Sequence, residues 1–160
     1  MSLTLKTTLG DVKIELFTDL VPRNTENFLT LCASGLYNDT QFHRSIPKFM
    51  VQGGDPTGTG KGGECIWGGF VPGETTPSLS HNTRGLVSMC NMAQGSCGSQ
   101  FFFTYAPAPH LDGECTIIGK IIGGEDTLAR MEAAPVAGKK SRPEQPITLL
   151  GVKIHANPFV

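Results

Sequence analysis

Apolar and polar residues alternate along many short segments of this chain, and this period of two is the feature that most limits its fold. The alternation runs through residues 3–8, stops at Leu9-Gly10-Asp11 and resumes over residues 12–16. Successive side chains of a strand point to opposite faces of a sheet, and a Gly-Asp pair is typical of turns. The pattern therefore predicts an opening β-hairpin with one buried face.

Two segments depart from this period and indicate helices. Pro22 suits a first helical position, apolar residues then recur every three or four positions, and Gly35 can end the helix. We expect a helix over residues 22–34. A second amphipathic pattern predicts a shorter helix over residues 125–133.

Six further strand-like runs are separated by Gly- and Pro-rich connections. They cover residues 41–46, 49–52, 85–89, 100–104, 116–122 and 147–155. Many strands and two helices predict a mainly β fold in which the helices cap a β-barrel. Residues 53–85 hold many glycines and prolines without a sustained period, and we interpret them as a long surface loop of the kind that usually has a function.

Length and charge limit the class of protein. The 160 residues fit a single domain over residues 1–160, and 13 basic against 14 acidic residues leave a formal net charge of −1. No run of like charge indicates direct nucleic-acid or membrane binding. The N-terminus lacks a secretory signal pattern, and no apolar stretch approaches the roughly 20 residues of a membrane span. Five cysteines without a C-x-x-C pair fit reduced thiols in the cytosol or nucleus.

Three chemical motifs are disfavoured by their context. Residues 58–63 match G-x-G-x-x-G, but no strand and helix flank them as a nucleotide site requires. Ser99 is not in the G-x-S-x-G turn of hydrolases. A zinc site remains an open alternative, and its candidate ligands are Cys90, Cys97, His110 and Cys115. Their spacing matches no standard zinc pattern, so buried thiols are the simpler interpretation.

Two segments, residues 42–55 and 98–103, form the most informative constellation of the chain. Each alone could be an ordinary core strand. Strict alternation would place Arg44 on the opposite face of its strand from His43 and Ser45, as expected for a solvated arginine.

Together, these segments resemble the two central motifs of the cyclophilins. The likeness continues at residues 22–31, at the glycine-rich residues 60–68, and at Leu111-Asp112-Gly113. The resemblance implies a closed eight-stranded antiparallel β-barrel capped by two α-helices. It also implies peptidyl-prolyl cis/trans isomerase activity on proline-containing segments of proteins, with no metal or cofactor and with a monomeric enzyme.

The resemblance further implies which residues form the site. Arg44 would be the catalytic residue, because a fixed guanidinium donor can stabilise the twisted X-Pro amide without acid-base chemistry. An apolar pocket would hold the proline ring, while Gln52 and the backbone of Asn91 would hold the peptide. The residues expected to bind substrate are Phe49, Met50, Gln52, Gly60, Cys90, Asn91, Met92, Gln100, Phe102, His110, Leu111 and Cys115.

Three of these positions depart from the family pattern. His110 stands where well-known cyclophilins carry tryptophan, which predicts weak cyclosporin binding. Cys115 replaces a histidine that can donate hydrogen bonds, and Met92 replaces a small residue, so reduced activity and altered substrate choice are expected. Oxidation of Cys115 could also control the activity, although an inert thiol is the simpler alternative.

Within the family, the short path from Asn38 to Phe42 and the ending at residues 155–159 look most like the peptidyl-prolyl isomerase-like 3 branch, a nuclear group associated with the spliceosome. That likeness implies splicing factors as partners and a nuclear or cytoplasmic location. The alternative function, from another class, is a catalytically weak recognition or scaffold module in a nuclear complex.

Overall fold

The computed structural model describes residues 1–155. The elements in chain order are β1 (Ser2–Thr7), β2 (Gly10–Leu16), α1 (Pro22–Ser34), β3 (Thr40–Gln41), β4 (Arg44–Ile46), β5 (Met50–Gly53), β6 (Val71–Pro72), β7 (Leu86–Ala93), β8 (Ser96–Thr104), β9 (Thr116–Gly123), α2 (Glu125–Ala133), β10 (Val136–Ala137), β11 (Arg142–Pro143) and β12 (Thr148–Ile154). Residues 156–159, part of the ending that resembles the isomerase-like 3 branch, lie outside the described residues.

The opening hairpin and both helices are confirmed. Strands β1 and β2 pair in register from Ser2–Glu15 to Thr7–Gly10. Helix α1 begins at Pro22 and ends where Gly35 adopts the left-handed conformation, with φ of 82°. Glycine adopts this conformation at little cost because it has no Cβ atom. Helix α2 likewise covers the expected residues.

The remaining strands occupy the predicted regions but with different bounds. The run at residues 41–46 is divided into β3 and β4, while β7 and β8 extend further than predicted and meet at a turn. Strand β6 and the β10–β11 hairpin have only two residues per strand, which is too short to show a period in the sequence.

The predicted closed eight-stranded barrel is not what the hydrogen bonding shows. One sheet of ten strands follows the order β3-β12-β1-β2-β9-β7-β8-β5-β4, and β6 pairs with β8. Its two end strands, β3 and β4, are consecutive in the chain and are joined through Phe42 and His43. Within the described residues, these two end strands do not pair with each other. The sheet is therefore an open, strongly curled half-barrel with two helices, of mainly β class.

Alternate residues of β5 and β8 face two different environments. Val51, Phe101 and Phe103 are fully buried in the main core with the apolar faces of β1, β2 and the helices. Met50 and Phe102, which alternate with them, belong to a second and smaller buried cluster. The main core therefore supports a sheet whose other face is available for a site.

Helix α1 also fixes the long loop against the sheet. Asn27 on this helix donates from Nδ2 to the Gly98 carbonyl at 2.9 Å and accepts from the Ile66 amide at 2.9 Å. A buried side chain with both groups satisfied is a strong positional constraint. It connects α1, strand β8 and the loop that precedes β6.

None of the helices in residues 1–155 combines the length and the apolar character needed to cross a bilayer.

Candidate active site

A groove of about 620 Å³ lies on the second face of β5, β7 and β8. This volume is in the usual range for small-molecule and peptide pockets. We call it the proline groove, after the ring that the resemblance leads us to expect there. It is lined by Arg44, Phe49, Met50, Gln52, Gly60, Cys90, Asn91, Met92, Ala93, Gln94, Phe102, Leu111, Glu114 and Cys115.

The floor of the proline groove is apolar. Met50, Cys90 and Phe102 are buried there, and Phe49 and Leu111 are among the partly buried residues that pack against them. The Phe102 ring is itself supported from behind by His81, whose ring is stacked on it at 6.1 Å between centroids with planes 14° apart. The floor can therefore take a compact apolar ring such as that of proline.

His81 is a rigid support because both of its ring nitrogens have partners. Nδ1 lies 2.7 Å from a carboxylate oxygen of Asp112, and Nε2 lies 3.0 Å from the Ser88 hydroxyl. Burial lowers the pKa of His81, and the neighbouring Asp112 carboxylate partly opposes this. Hydrogen bonds from the His81 amide, the Ser80 hydroxyl and the His81 ring lower the pKa of Asp112 to about 2.

A row of three side chains crosses the sheet at one end of this floor. Arg44 is the register partner of Gln52 on the neighbouring strand, and Gln52 is the register partner of Phe102 on the next. Register partners in adjacent strands point to the same face. The guanidinium, the amide and the aromatic floor are therefore placed side by side on the same face.

Arg44 is exposed, whereas its neighbours His43 and Ser45 are buried, as the alternation predicted. Ser45 donates or accepts a hydrogen bond with the Tyr105 hydroxyl at 2.8 Å in the interior. Among residues 1–155, no hydrogen bond or ion pair occupies the Arg44 side chain. Its donors are available to a bound molecule.

Gln100 lies behind the groove rather than in its wall. The side chain is fully buried, accepts a 2.7 Å hydrogen bond from Gln52 Nε2, and donates to the Gly62 carbonyl at 2.9 Å. It therefore fixes Gln52 and the glycine-rich loop with respect to each other. His110 also lies outside the lining set, exposed at the rim with its ring 5.4 Å from that of Phe49.

The glycine-rich loop is held by one buried carboxylate. Asp55 accepts hydrogen bonds from the backbone amides of Thr57, Gly60 and Gly62 at 2.7–3.1 Å. Burial alone would raise the pKa of Asp55, but these bonds and that from the Thr57 hydroxyl outweigh it and lower the pKa to about 2. The loop therefore presents Gly60 to the groove in a defined conformation.

Cys115 and Met92 form the far wall and pack against the apolar floor that contains Cys90. Cys90 is buried, Cys115 and Met92 are half-buried, and burial raises the pKa of both thiols. Asn91 Nδ2 lies 3.4 Å from Glu114, and its Oδ1 accepts from the Gly95 amide at 3.0 Å. The Asn91 side chain thus makes its hydrogen bonds with other residues of this wall and its turn.

Sequence reasoning missed three residues of this wall, Ala93, Gln94 and Glu114. Ala93 is the last residue of β7 and Gln94 lies in the turn to β8, and the predicted strands reached neither of them. The zinc alternative finds no geometric support, since no three His, Cys, Asp or Glu side chains of residues 1–155 are grouped as a metal ion would require.

Comparison with known proteins identifies the family of this chain. The family model for cyclophilin type peptidyl-prolyl cis-trans isomerases matches residues 2–154. A peptidyl-prolyl cis-trans isomerase-like 3 of Rhizopus delemar is 54% identical, over 99% of this chain and 97% of its own length. The peptidyl-prolyl cis-trans isomerase CYP18-1 of Arabidopsis thaliana is 55% identical, over 99% of both chains.

A solved structure also resembles the whole fold. It is a cyclophilin type peptidyl-prolyl cis-trans isomerase of Cryptosporidium parvum, crystallised in the presence of the dipeptide Ala-Pro, with a TM-score of 0.93 and 43% identity. The similarity covers 98% of this chain and 100% of that one. The family model over residues 2–154 and the full-length relatives show that this chain belongs to the cyclophilin-type peptidyl-prolyl cis-trans isomerases.

Proposed function

We propose that this protein accelerates cis/trans rotation about X-Pro bonds in protein segments that bind in the proline groove, and that Arg44 is the catalytic residue. An X-Pro bond prefers trans by only about 0.5–1 kcal/mol, yet its rotation crosses a barrier of about 18–20 kcal/mol. The enzyme therefore has to lower a barrier rather than shift an equilibrium.

The barrier exists because the amide nitrogen is conjugated with the carbonyl. As the bond twists, conjugation is lost and the prolyl nitrogen gains a localised lone pair. A donor fixed near that nitrogen binds the twisted state better than either planar state, which is the condition for catalysis. Arginine keeps its proton at neutral pH and needs neither a covalent step nor proton transfer.

The observation that carries the proposal is the row of Arg44, Gln52 and Phe102 on one face of three adjacent strands. A proline ring on Phe102 and its apolar neighbours would place the prolyl nitrogen toward the Arg44 side of the groove. Gln52, held by Gln100, would bind the peptide chain between them. Asn91 would contribute its backbone, since its side chain is engaged in the wall.

The test is isomerisation of a short Ala-Pro peptide, measured by exchange NMR for the wild type, Arg44→Ala and Arg23→Ala. Arg23 is a matched control because it stacks on Trp67, at 4.3 Å from the ring centroid, and does not line the groove. Loss of one such donor should reduce the rate about 10²–10³-fold. Equal rates for Arg44→Ala and the wild type would contradict the proposed role of Arg44.

A second function is favoured by the packing of Met92 and Cys115. Both contact the apolar cluster of Met50, Cys90 and Phe102. Met92 is larger than the small residue of the family pattern, and Cys115 is a weaker hydrogen-bond donor than the histidine of that pattern, so the two residues reshape the groove without removing it. If the folded wild type bound the peptide but did not accelerate its rotation, a recognition or scaffold module would be the better description.

We also propose a monomer that acts on proline segments of splicing factors, in the nucleus or the cytoplasm. The support is the resemblance to the isomerase-like 3 branch. Light scattering of the purified protein tests the monomer, and fluorescence imaging of the tagged chain tests its location. A stable dimer or a location outside both compartments would contradict these statements.

A further inference from the structure

A second groove, of about 330 Å³, adjoins the proline groove and is strongly basic. We call it the basic groove. The two grooves share Arg44, Gln52 and Gly60 in their walls. A peptide whose proline lies on Phe102 can therefore extend into the adjoining basic groove and place a nearby residue there.

Five cations line the basic groove, out of 13 in the whole chain, although the chain has a formal net charge of −1. They are Arg44, Lys61, Lys139, Lys140 and Arg142. No acidic side chain lines it. The groove is thus a local concentration of positive charge on a nearly neutral protein.

Neighbouring acids do not neutralise these cations. The ion pairs found within residues 1–155 are His81–Asp112 and Arg84–Glu132, and neither includes a cation of the groove. Asp55 is ionised and raises the pKa of the neighbouring His43, but within residues 1–155 it forms no ion pair with a cation of the groove, and its oxygens accept hydrogen bonds from the amides of the glycine-rich loop. The positive charge therefore remains available to a ligand.

Neutral oxygen atoms hold Arg142 in position. Its Nη1 donates to the Gly58 carbonyl at 2.7 Å, and its Nη2 donates to Gln41 Oε1 at 2.8 Å. Each of these nitrogens carries a second hydrogen that these bonds do not use. The guanidinium is thus ordered before any ligand arrives, which reduces the entropy cost of binding.

The two lysines are brought to the groove by the turn between β10 and β11. The Ser45 amide on β4 donates to the Ser141 carbonyl at 2.9 Å, so the turn is attached to the strand that carries Arg44. Lys139 and Lys140 precede Ser141 in this turn and are exposed. Two loops distant in sequence therefore line the same groove as Arg44.

The floor of the basic groove includes His43, which is buried beneath Gly60. Burial lowers the pKa of His43, Asp55 raises it, and Arg142 and Arg44 lower it further. A bound anion would reduce the repulsion from the two arginines. The ring is therefore a natural reporter for an anion in this groove.

We propose that the basic groove binds the phosphate of a phosphorylated serine or threonine near the substrate proline, so that phosphorylated proline segments are the preferred substrates. This inference rests on the proposed function. A phosphate carries about −1.5 to −2 charges and three strong acceptor oxygens, which suits the Arg142 guanidinium and the three lysine ammonium groups better than a single carboxylate does.

The test compares Ala-Pro peptides that differ only in one flanking residue, which is serine, phosphoserine or glutamate, placed two positions before or after the proline. Dissociation constants are measured by NMR titration at low and at higher ionic strength. The variant is K139A/K140A, and the matched control is K120A/K153A, whose lysines are exposed on β9 and β12 and do not line the groove.

We expect one phosphoserine peptide to bind about tenfold more tightly than its serine counterpart at low ionic strength, with a smaller difference at higher salt. K139A/K140A should lose most of this gain, and K120A/K153A should retain it. The His43 ring resonances should shift on binding of the phosphopeptide only.

Equal affinity for the serine and phosphoserine peptides would overturn the inference, as would an equal gain from glutamate. A single-stranded RNA that binds more tightly than the phosphopeptide, and depends on the same lysines, would also overturn it. Turnover of the serine peptide is measured in the same samples. Its absence would contradict the proposed isomerase activity, whereas the affinity difference alone decides the phosphate site.

Discussion

Gln52 Nε2 donates a 2.7 Å hydrogen bond to Oε1 of the fully buried Gln100, so Gln100 holds the Gln52 side chain in place. Gln52 is half-buried and lines the proline groove, whereas Gln100 also donates to the Gly62 carbonyl of the glycine-rich loop. The orientation of the Gln52 amide therefore depends on Gln100, which does not line the proline groove.

This arrangement predicts non-additive effects of the two glutamines. Gln100→Ala should lower kcat/KM and also destabilise the fold by about 1–3 kcal/mol, because it leaves buried partners unsatisfied. Gln52→Ala should lower kcat/KM with little change in stability. The double variant should be hardly less active than Gln52→Ala alone, as a double-mutant cycle in kcat/KM would measure. Additive losses would show that Gln100 does not act through Gln52.

The Asp55 carboxylate predicts a loss of stability in acid. Its pKa is lowered from 3.8 to about 2 in the folded chain, so its contribution to stability is complete above about pH 4 and is lost as the pH falls toward 2. The free energy of unfolding, measured by urea titration, should therefore decrease over this window. In Asp55→Asn the free energy of unfolding should decrease less steeply over this window, although Asp112 still contributes to the decrease. At neutral pH, the variant should be about 1–3 kcal/mol less stable than the wild type. An unchanged slope would contradict the role of Asp55.

Gly98 and Gly151 provide a matched test of how closely the glycine-rich loop packs on β8. A Cβ atom on Gly98 would overlap the Gly63 carbonyl oxygen, whereas a Cβ atom on Gly151 would meet no atom within 4 Å. Neither glycine has a positive φ, so the comparison isolates the contact. Gly98→Ala should destabilise the fold by about 1–3 kcal/mol, and Gly151→Ala by much less. Equal melting temperatures for the two variants would contradict this packing.

The rim position of His110 makes the cyclosporin prediction specific. The imidazole lies beside Phe49, exposed, where the resemblance to other cyclophilins leads one to expect an indole donor. We expect weak binding by the wild type and tighter binding by His110→Trp, measured by calorimetry. Submicromolar affinity of the wild type would contradict the prediction, and the affinity of Phe49→Ala would show whether the rim is involved at all.

The thiol of Cys115 should respond slowly to oxidants. Burial raises its pKa, the Asn91 backbone partly opposes this, and Glu114 raises it again. Because the thiolate is the reactive form, peroxide treatment at neutral pH should leave the isomerase activity of the wild type and of Cys115→Ser equally unchanged. Inactivation of the wild type alone would instead support oxidation as a control of activity.

Sequence patterns predicted the local elements well and the long-range closure poorly. The bounds of α1 were predictable because Pro22 and Gly35 favour the two ends of a helix through their own backbone preferences. The division of residues 41–46 was not, because Phe42 donates from its amide to the Ile147 carbonyl, more than 100 residues away. A hydrogen bond between residues so far apart produces no periodic pattern in the local sequence.

The candidate site shows the same division. The alternation predicted that Arg44 would be exposed between two buried neighbours, and the resemblance suggested most residues of the proline groove. The basic groove could not be predicted, because it combines Arg44 and Lys61 with Arg142 and its neighbours from a hairpin of two-residue strands. Only the attachment of that hairpin to β4 brings the charges together.

The separation of the sheet into two faces has a consequence for divergence among related proteins. Because Met50 and Phe102 belong to a cluster distinct from the main core of Val51, Phe101 and Phe103, a change in the groove alters few contacts that determine folding. Substitutions such as those at Met92 and Cys115 can therefore accumulate with little loss in the stability of the fold. A lineage built on this sheet can acquire new peptide preferences by single substitutions while it inherits the same scaffold.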